Sequence, residues 1–292
     1  MKRKNMLVLA LGLCALMIFL ASSGAQETAS KPQWTKFESI PQSGIPIVYA
    51  RLNYGQEYRM AVDLSMKDVL LDEFIVVGAG MELKDRGETQ EIDFYGDKEK
   101  VSVSYLDSLA VGRLEKRGVK TLIIRGDDLG AATGIPIYGR IGTDFFESYR
   151  LTVYYPRDLL LIERSPQDDV PPGGAPFQIE DRALSVEVVV NGSFTERFIL
   201  DPGSSMTMLD KKWATKQGLA KKGDHRVDLA SLQIGGYQVH EIAAILEDPK
   251  KWPYEPRPVG VIGASLLREG AVTYDFPRGL LWLRSIEEEG SN

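Results

Sequence analysis

Apolar residues along this chain fall in short alternating or continuous runs, separated by turns rich in Gly, Pro and Asn. Residues 45–52 read as a strand, Asn53-Tyr54-Gly55 as a turn and residues 58–62 as the returning strand. The same pattern recurs more cleanly at residues 184–190 and 194–200, joined by Asn191-Gly192, a strong two-residue hairpin signal. Further short strands are expected at 101–105, 109–111, 121–124, 151–154, 159–162, 232–234, 242–246 and 280–283. Helical signals are few. Residues 210–217 form a short helix with Asp210 at its start and Gly218 as its stop, and 145–149 and 266–269 make a turn or two each. Many short strands with Gly-rich turns predict a mostly-β architecture.

Two of these stretches are copies of each other. Residues 53–72 align without a gap on 191–210, pairing Arg59 with Arg197, Asp63 with Asp201 and Asp72 with Asp210 at an offset of 138. A second offset of 121 pairs Gly139-Arg140-Ile141-Gly142 with Gly260-Val261-Ile262-Gly263, and Tyr155-Pro156-Arg157 with Phe276-Pro277-Arg278. The chain therefore reads as two lobes, each delivering one carboxylate at the end of an apolar strand. Lobe 1 spans 45–164 and lobe 2 spans 183–286, with residues 287–292 as a tail. The Pro- and Gly-rich stretch within 165–182 reads as the linker between them, and 26–44 as a polar lead-in. Lobe 1 carries 17 more positions between its aspartate and its Gly142 than lobe 2 does to Gly263. They fall at 89–105, an extra hairpin with Tyr95 and Gly96 near its tip.

Composition narrows the chemistry. Lys2-Arg3-Lys4, an apolar run at 7–21 and small residues at 23–25 read as a secretory signal removed after Ala25, so the chain is expected in the periplasm or outside the cell. Contact with a membrane is expected only if that signal stays uncleaved. The processed chain has 32 Lys+Arg against 41 Asp+Glu, a net charge of −9, which argues against nucleic acid or an anionic membrane as the main partner. It also loses Cys14, the only cysteine, and with it any thiol nucleophile or thiolate ligand. With two histidines, His225 and His240, a zinc site or a Ser-His-Asp hydrolase is poorly supplied. Carboxylates remain the main candidates, and no cofactor or metal is expected.

The segment Phe198-Ile199-Leu200-Asp201-Pro202-Gly203-Ser204-Ser205 resembles the active-site loop of retropepsin-like and pepsin-like aspartic proteases, an apolar strand followed by Asp-Thr-Gly-Ser/Ala-Ser. Ile141-Gly142 and Ile262-Gly263 are similar to the family's apolar-apolar-Gly element behind that loop. The resemblance covers 45–163 and 183–284 and implies two tandem β-barrel lobes in a bilobal pepsin-like fold. It also implies Asp63 and Asp201 as a catalytic dyad, supported by Gly203, Ser204 and Ser65, with Tyr95 and Gly96 on a flap over the substrate. In such a site two carboxyl groups share one proton. The ionised member activates water, and the protonated member stabilises the oxyanion.

The sequence departs from the family pattern at the dyad's supports. Pro202 and Leu64 replace the threonines whose hydroxyls tie the two loops together, Ser65 replaces a glycine, and Met66 stands where a hydroxyl would support the carboxylate. The leading reading is an exported aspartic-type endopeptidase acting on peptide or unfolded protein. The alternative is a catalytically degenerate relative that binds peptide or protein in the same cleft. A monomer is expected, and a dimer pairing two lobe 2 loops is a third arrangement. Asp210 is expected to cap its helix, and Trp252 and Tyr254 to pin the Pro-rich loop before Gly260 in preference to lining a cleft.

Overall fold

Alternation along the strands shows which face each lobe buries. In β2 (Ile47–Leu52) Ile47, Val48, Ala50 and Leu52 are buried, while Tyr49 and Arg51 face water. A computed structural model describes residues 33–40, 43–78, 80–81, 83, 87–94, 97–124, 135–166, 170–180, 183–252 and 254–285. The expected signal segment, 1–25, lies outside them, and residues 33–292 form one unit.

The described residues begin with β1 (Trp34–Lys36) and β2, followed in lobe 1 by β3 (Glu57–Val62), β4 (Val69–Asp72), α1 (Glu73–Gly78), β5 (Glu88–Phe94), β6 (Asp97–Val111), β7 (Leu114–Ile124) and β8 (Gly139–Ile141). Strands β2, β3, β8, β4, β7 and β6 pair in that order, and β6 returns to β2, closing a six-stranded barrel. Outside it, β5 pairs with β6 as the expected extra hairpin, with Phe94 opposite Asp97. Its tip residues, Tyr95 and Gly96, lie outside the described residues.

Next come β9 (Tyr149–Tyr154), β10 (Leu159–Arg164) and β11 (Ala175–Glu180). Lobe 2 then holds β12 (Ala183–Val190), β13 (Phe194–Leu200), β14 (Met208–Asp210), α2 (Lys211–Lys216), β15 (Arg226–Ile234), β16 (Tyr237–Glu247), β17 (Gly260–Ile262), α3 (Ala264–Leu267), β18 (Gly270–Asp275) and β19 (Leu280–Ser285). Strands β12, β13, β17, β14, β16 and β15 close the second barrel in the same way as the first. The architecture is mostly β, with two closed barrels.

A six-stranded antiparallel sheet, β1-β10-β9-β18-β19-β11, joins the lobes. The repeat offset of 121 pairs Thr152 with Thr273 in sequence. These two face each other across β9 and β18 with their hydroxyl oxygens 3.0 Å apart. The internal two-fold axis of the duplication therefore passes between them. Asp275, 0% exposed, staples this sheet. It accepts hydrogen bonds from Arg150 Nη2 at 3.0 Å, Arg278 Nη1 at 3.0 Å and Ser165 Oγ at 2.6 Å.

Two local features differ from the sequence expectation. Residues 175–180, read as linker, form β11, because Ala175 and Phe177 bury against the joining sheet while the Pro- and Gly-rich part stays outside it. Helix α1 was unforeseen: its run Phe74-Ile75-Val76-Val77 is apolar without helical spacing, and Phe74 and Val77 stay exposed. The two hairpin turns form where expected but differ from each other. Asn191 and Gly192 take left-handed φ of 50° and 65°, whereas in lobe 1 the second such position, at φ 60°, is held by Tyr54.

Candidate functional site

Each aspartate sits at the end of a strand locked by its neighbour. Strand β3 lies parallel to β8, and β13 parallel to β17. The Asp63 N–H donates to the Ile141 carbonyl at 3.0 Å, and the Asp201 N–H to the Ile262 carbonyl at 3.0 Å. The two loops thus leave their barrels with the same backbone geometry. Gly142 and Gly263 are required there: a Cβ on Gly142 would stand 2.4 Å from the Lys67 carbonyl oxygen, and one on Gly263 2.3 Å from that of Met206. The repeated Asp72 and Asp210 are caps. Asp72 Oδ1 accepts from the Phe74 N–H at 2.9 Å, and Asp210 Oδ1 from the Lys212 N–H at 2.7 Å.

The carboxyl groups themselves are held differently. Asp63 is 4% exposed, and its Oδ1 accepts from the Ser65 N–H at 3.0 Å and the Ser65 hydroxyl at 2.5 Å. Its Oδ2 accepts from Arg140 Nη1 at 2.6 Å, a buried ion pair. Asp201 is half-buried, and its Oδ1 accepts from the Gly203 N–H at 2.8 Å. The Tyr254 hydroxyl donates to its Oδ2 at 2.5 Å. Burial raises the Asp201 carboxyl above the usual carboxylate range. The Tyr254 bond opposes that rise, the nearby charge of Asp63 adds to it, and the Gly203 and Ser204 N–H groups oppose it. The Tyr254 hydroxyl is itself pushed up, by burial first and then by Asp201.

The expected supports are partly reassigned. Ser65 and Gly203 serve their aspartates as the motif implies, but the Ser204 hydroxyl donates to the Met206 carbonyl at 2.8 Å instead of to Asp201. Leu64 packs into the core, so lobe 1 offers no hydroxyl toward lobe 2 from that position. The loops are not left unconnected. The Gly44 N–H, from the segment leading into β2, donates to the Pro202 carbonyl at 2.7 Å, and the Tyr155 hydroxyl donates to the Gly44 carbonyl at 2.8 Å. The end of the lead-in, gripped by Tyr155, therefore straps the lobe 2 aspartate loop. Tyr155 corresponds to Phe276 in the repeat, and the extra hydroxyl is the one that grips the strap.

Arg140 was not read as a site residue, and for Tyr254 pinning its loop was preferred to lining a cleft. Arg140 carried a signal: its repeat partner is Val261, fully buried, and a charged residue at a buried strand position demands a counter-charge within reach. Trp252 pins its loop as expected, with Nε1 donating to Glu247 at 3.2 Å, but Tyr254 reaches past it into the site. His225 and His240 are exposed on lobe 2 and take no part. Among the described residues no group of three His, Cys, Asp or Glu side chains is placed to hold a metal ion.

No family model matches this chain, and no curated protein matches it. Among solved structures it is similar to the crystal structure of aspartic proteinase from Irpex lacteus, with a TM-score of 0.58 and 12% sequence identity. The match covers 87% of this chain and 97% of that one. The chain therefore has the bilobal pepsin-like fold, with an aspartate at the end of the corresponding strand in each lobe.

Proposed function

We propose that this chain is an exported peptide-binding protein on the aspartic-proteinase fold, one that holds an extended peptide or unfolded segment in its cleft without cleaving it. The observation that carries this reading is the Arg140 guanidinium 2.6 Å from Asp63 Oδ2, both side chains buried. A two-aspartate hydrolase depends on one proton shared between carboxyls that cannot both ionise. Here a buried guanidinium from the same lobe takes Asp63 Oδ2, the oxygen that would otherwise face a shared proton or a bound water. Asp63 already accepts three hydrogen bonds, two from Ser65 and one from Arg140, which occupy the lone pairs a bound water would use. Tyr254 occupies the Oδ2 of Asp201, the carboxyl nearer to solvent. Leu64, Met66 and Pro202 point the same way.

The second reading, an aspartic-type endopeptidase, has one specific observation in its favour. Burial raises the Asp201 carboxyl while Asp63 sits in an ion pair, so the two carboxyls have unlike surroundings, as the two roles of acid–base catalysis require. Incubating the full-length protein with a mixed peptide library between about pH 3 and 7 separates the two readings. The binding reading expects peptides to be retained intact, and retention to fall in Asp201→Asn. Time-dependent cleavage lost in both Asp63→Asn and Asp201→Asn would establish the dyad instead. Cleavage lost in Asp201→Asn alone would point to a dimer of lobe 2 loops.

A further inference from the structure

The chain's net charge of −6 is unevenly spread. Of the sixteen residues from Lys211 to Arg226, six are basic (Lys211, Lys212, Lys216, Lys221, Lys222 and Arg226) and only Asp224 is acidic. The fold adds two more. Strands β14 and β16 run parallel with Asp210 opposite Glu247, so α2 and the helical turn Pro249–Lys251 leave the barrel at the same end. The Leu246 N–H donates to the His225 carbonyl at 2.9 Å, which brings the start of β15 there as well. Lys250 and Lys251 thereby join the cluster. Of the eight basic side chains, all but the half-buried Lys211 are exposed.

The five acidic residues at this end are mostly engaged elsewhere. Asp210, Asp224 and Asp248 accept from the backbone N–H groups of Lys212, Lys221 and Lys250. Glu247 takes Trp252 Nε1 and Lys251, and Asp228 takes Arg226. Among the described residues, Lys211, Lys212, Lys216, Lys221, Lys222 and Lys250 have no carboxylate at ion-pair distance. Lys212 and Lys216 also stand four apart on α2, a like-charge spacing that works against the helix. Eight basic to five acidic residues give this end +3, leaving −9 on the rest of the chain. None of the exposed large apolar side chains among the described residues lies within 208–228 or 245–251.

We propose that this end of lobe 2 docks on a membrane surface rich in anionic phospholipid headgroups. Lysines on flexible stems suit diffuse attraction to a charged plane, whereas bidentate recognition of single phosphates favours arginine. The lack of exposed apolar residues makes the association superficial, without insertion. The net charge of the whole chain argued against such a surface only while that charge was taken as evenly spread.

The test is co-sedimentation of the processed protein, residues 26–292, with vesicles of phosphatidylcholine alone or with about 30% phosphatidylglycerol. The proposal expects at least about tenfold more binding to the anionic vesicles at about 50 mM salt, collapsing at about 300 mM. The gain should vanish in the exposed-surface variant Lys212→Glu/Lys216→Glu/Lys221→Glu/Lys222→Glu, with its melting temperature unchanged. Equal binding to both vesicles, or a gain that survives the four substitutions, would overturn it. So would an absence of anionic-vesicle binding from a protein that instead binds soluble polyglutamate through the same lysines, which would identify an acidic protein as the partner.

Discussion

Replacing Arg140 with valine, the residue type that Val261 supplies in the other copy, isolates the ion pair that distinguishes lobe 1. The substitution strands a carboxylate that is 4% exposed, with only the Ser65 N–H and hydroxyl left as donors. Breaking a buried ion pair by removing one partner costs about 3–5 kcal/mol, and the two surviving donors place this case near ~3. For a chain of this size each kcal/mol lowers Tm by about 2–4 °C, so the loss at pH 7 should be roughly 6–12 °C. The double variant Asp63→Asn/Arg140→Val should recover most of the loss, since it removes the charge that has no partner. Thermal melts of the three proteins at pH 7 measure all of this. A loss under about 2 °C, or a double variant no more stable than Arg140→Val alone, would refute the reasoning.

Other consequences follow from the same geometry. At Asp275 burial pushes the carboxyl up, but the bonds from Ser165, Arg150 and Arg278 outweigh it and hold the group below its ordinary value. A depressed carboxyl contributes stability that is complete above the unfolded value near ~4 and is lost as pH falls through the folded one. Asp275→Asn should therefore cost about 3–5 kcal/mol at pH 7, and melts below pH 4 should show its Tm falling less steeply than that of the parent; parallel curves would contradict this. Tyr54→Gly relieves a left-handed residue at φ 60° and should raise stability by about 1 kcal/mol in urea titrations, whereas a loss would mean the tyrosine ring contributes more than its strain costs. Tyr254→Phe removes a bond that lowers the Asp201 carboxyl, so carbon-13 NMR should show Asp201 titrating at higher pH than in the parent, and a downward move would sink that assignment.

Much of the fold was legible because the chain states it twice. Period-two burial, the Asn191-Gly192 turn and the offsets of 138 and 121 carry the two lobes, the strand ends and even the two-fold axis at Thr152 and Thr273. The extra hairpin follows from the 17 positions by which lobe 1 outruns lobe 2, and the Asp210 cap from local pattern alone. Less legible was whatever depends on pairing across the fold. Strand β11 owes its existence to the neighbours that bury Ala175 and Phe177, which a Pro-rich stretch does not announce. The aspartates were readable from their loops, but their partners were not: Tyr254 arrives from 53 residues along the chain and Arg140 from 77 residues past Asp63. Gly44 contributes only backbone, and no sequence pattern marks it. Arg140 alone left a trace, as a charge written where its copy has a buried valine.

Affinity for a statine-type peptide, compared with an ordinary peptide of the same side chains, tests the central claim most directly. A working dyad grips the tetrahedral hydroxyl of such a mimic and binds it about 100-fold or more tighter than the plain peptide. With Arg140 on Asp63 and Tyr254 on Asp201, calorimetry should instead give two affinities within about threefold of each other, about 0.7 kcal/mol apart. A hundredfold preference for the statine peptide, abolished by Asp63→Asn, would contradict the account and make this chain a peptidase.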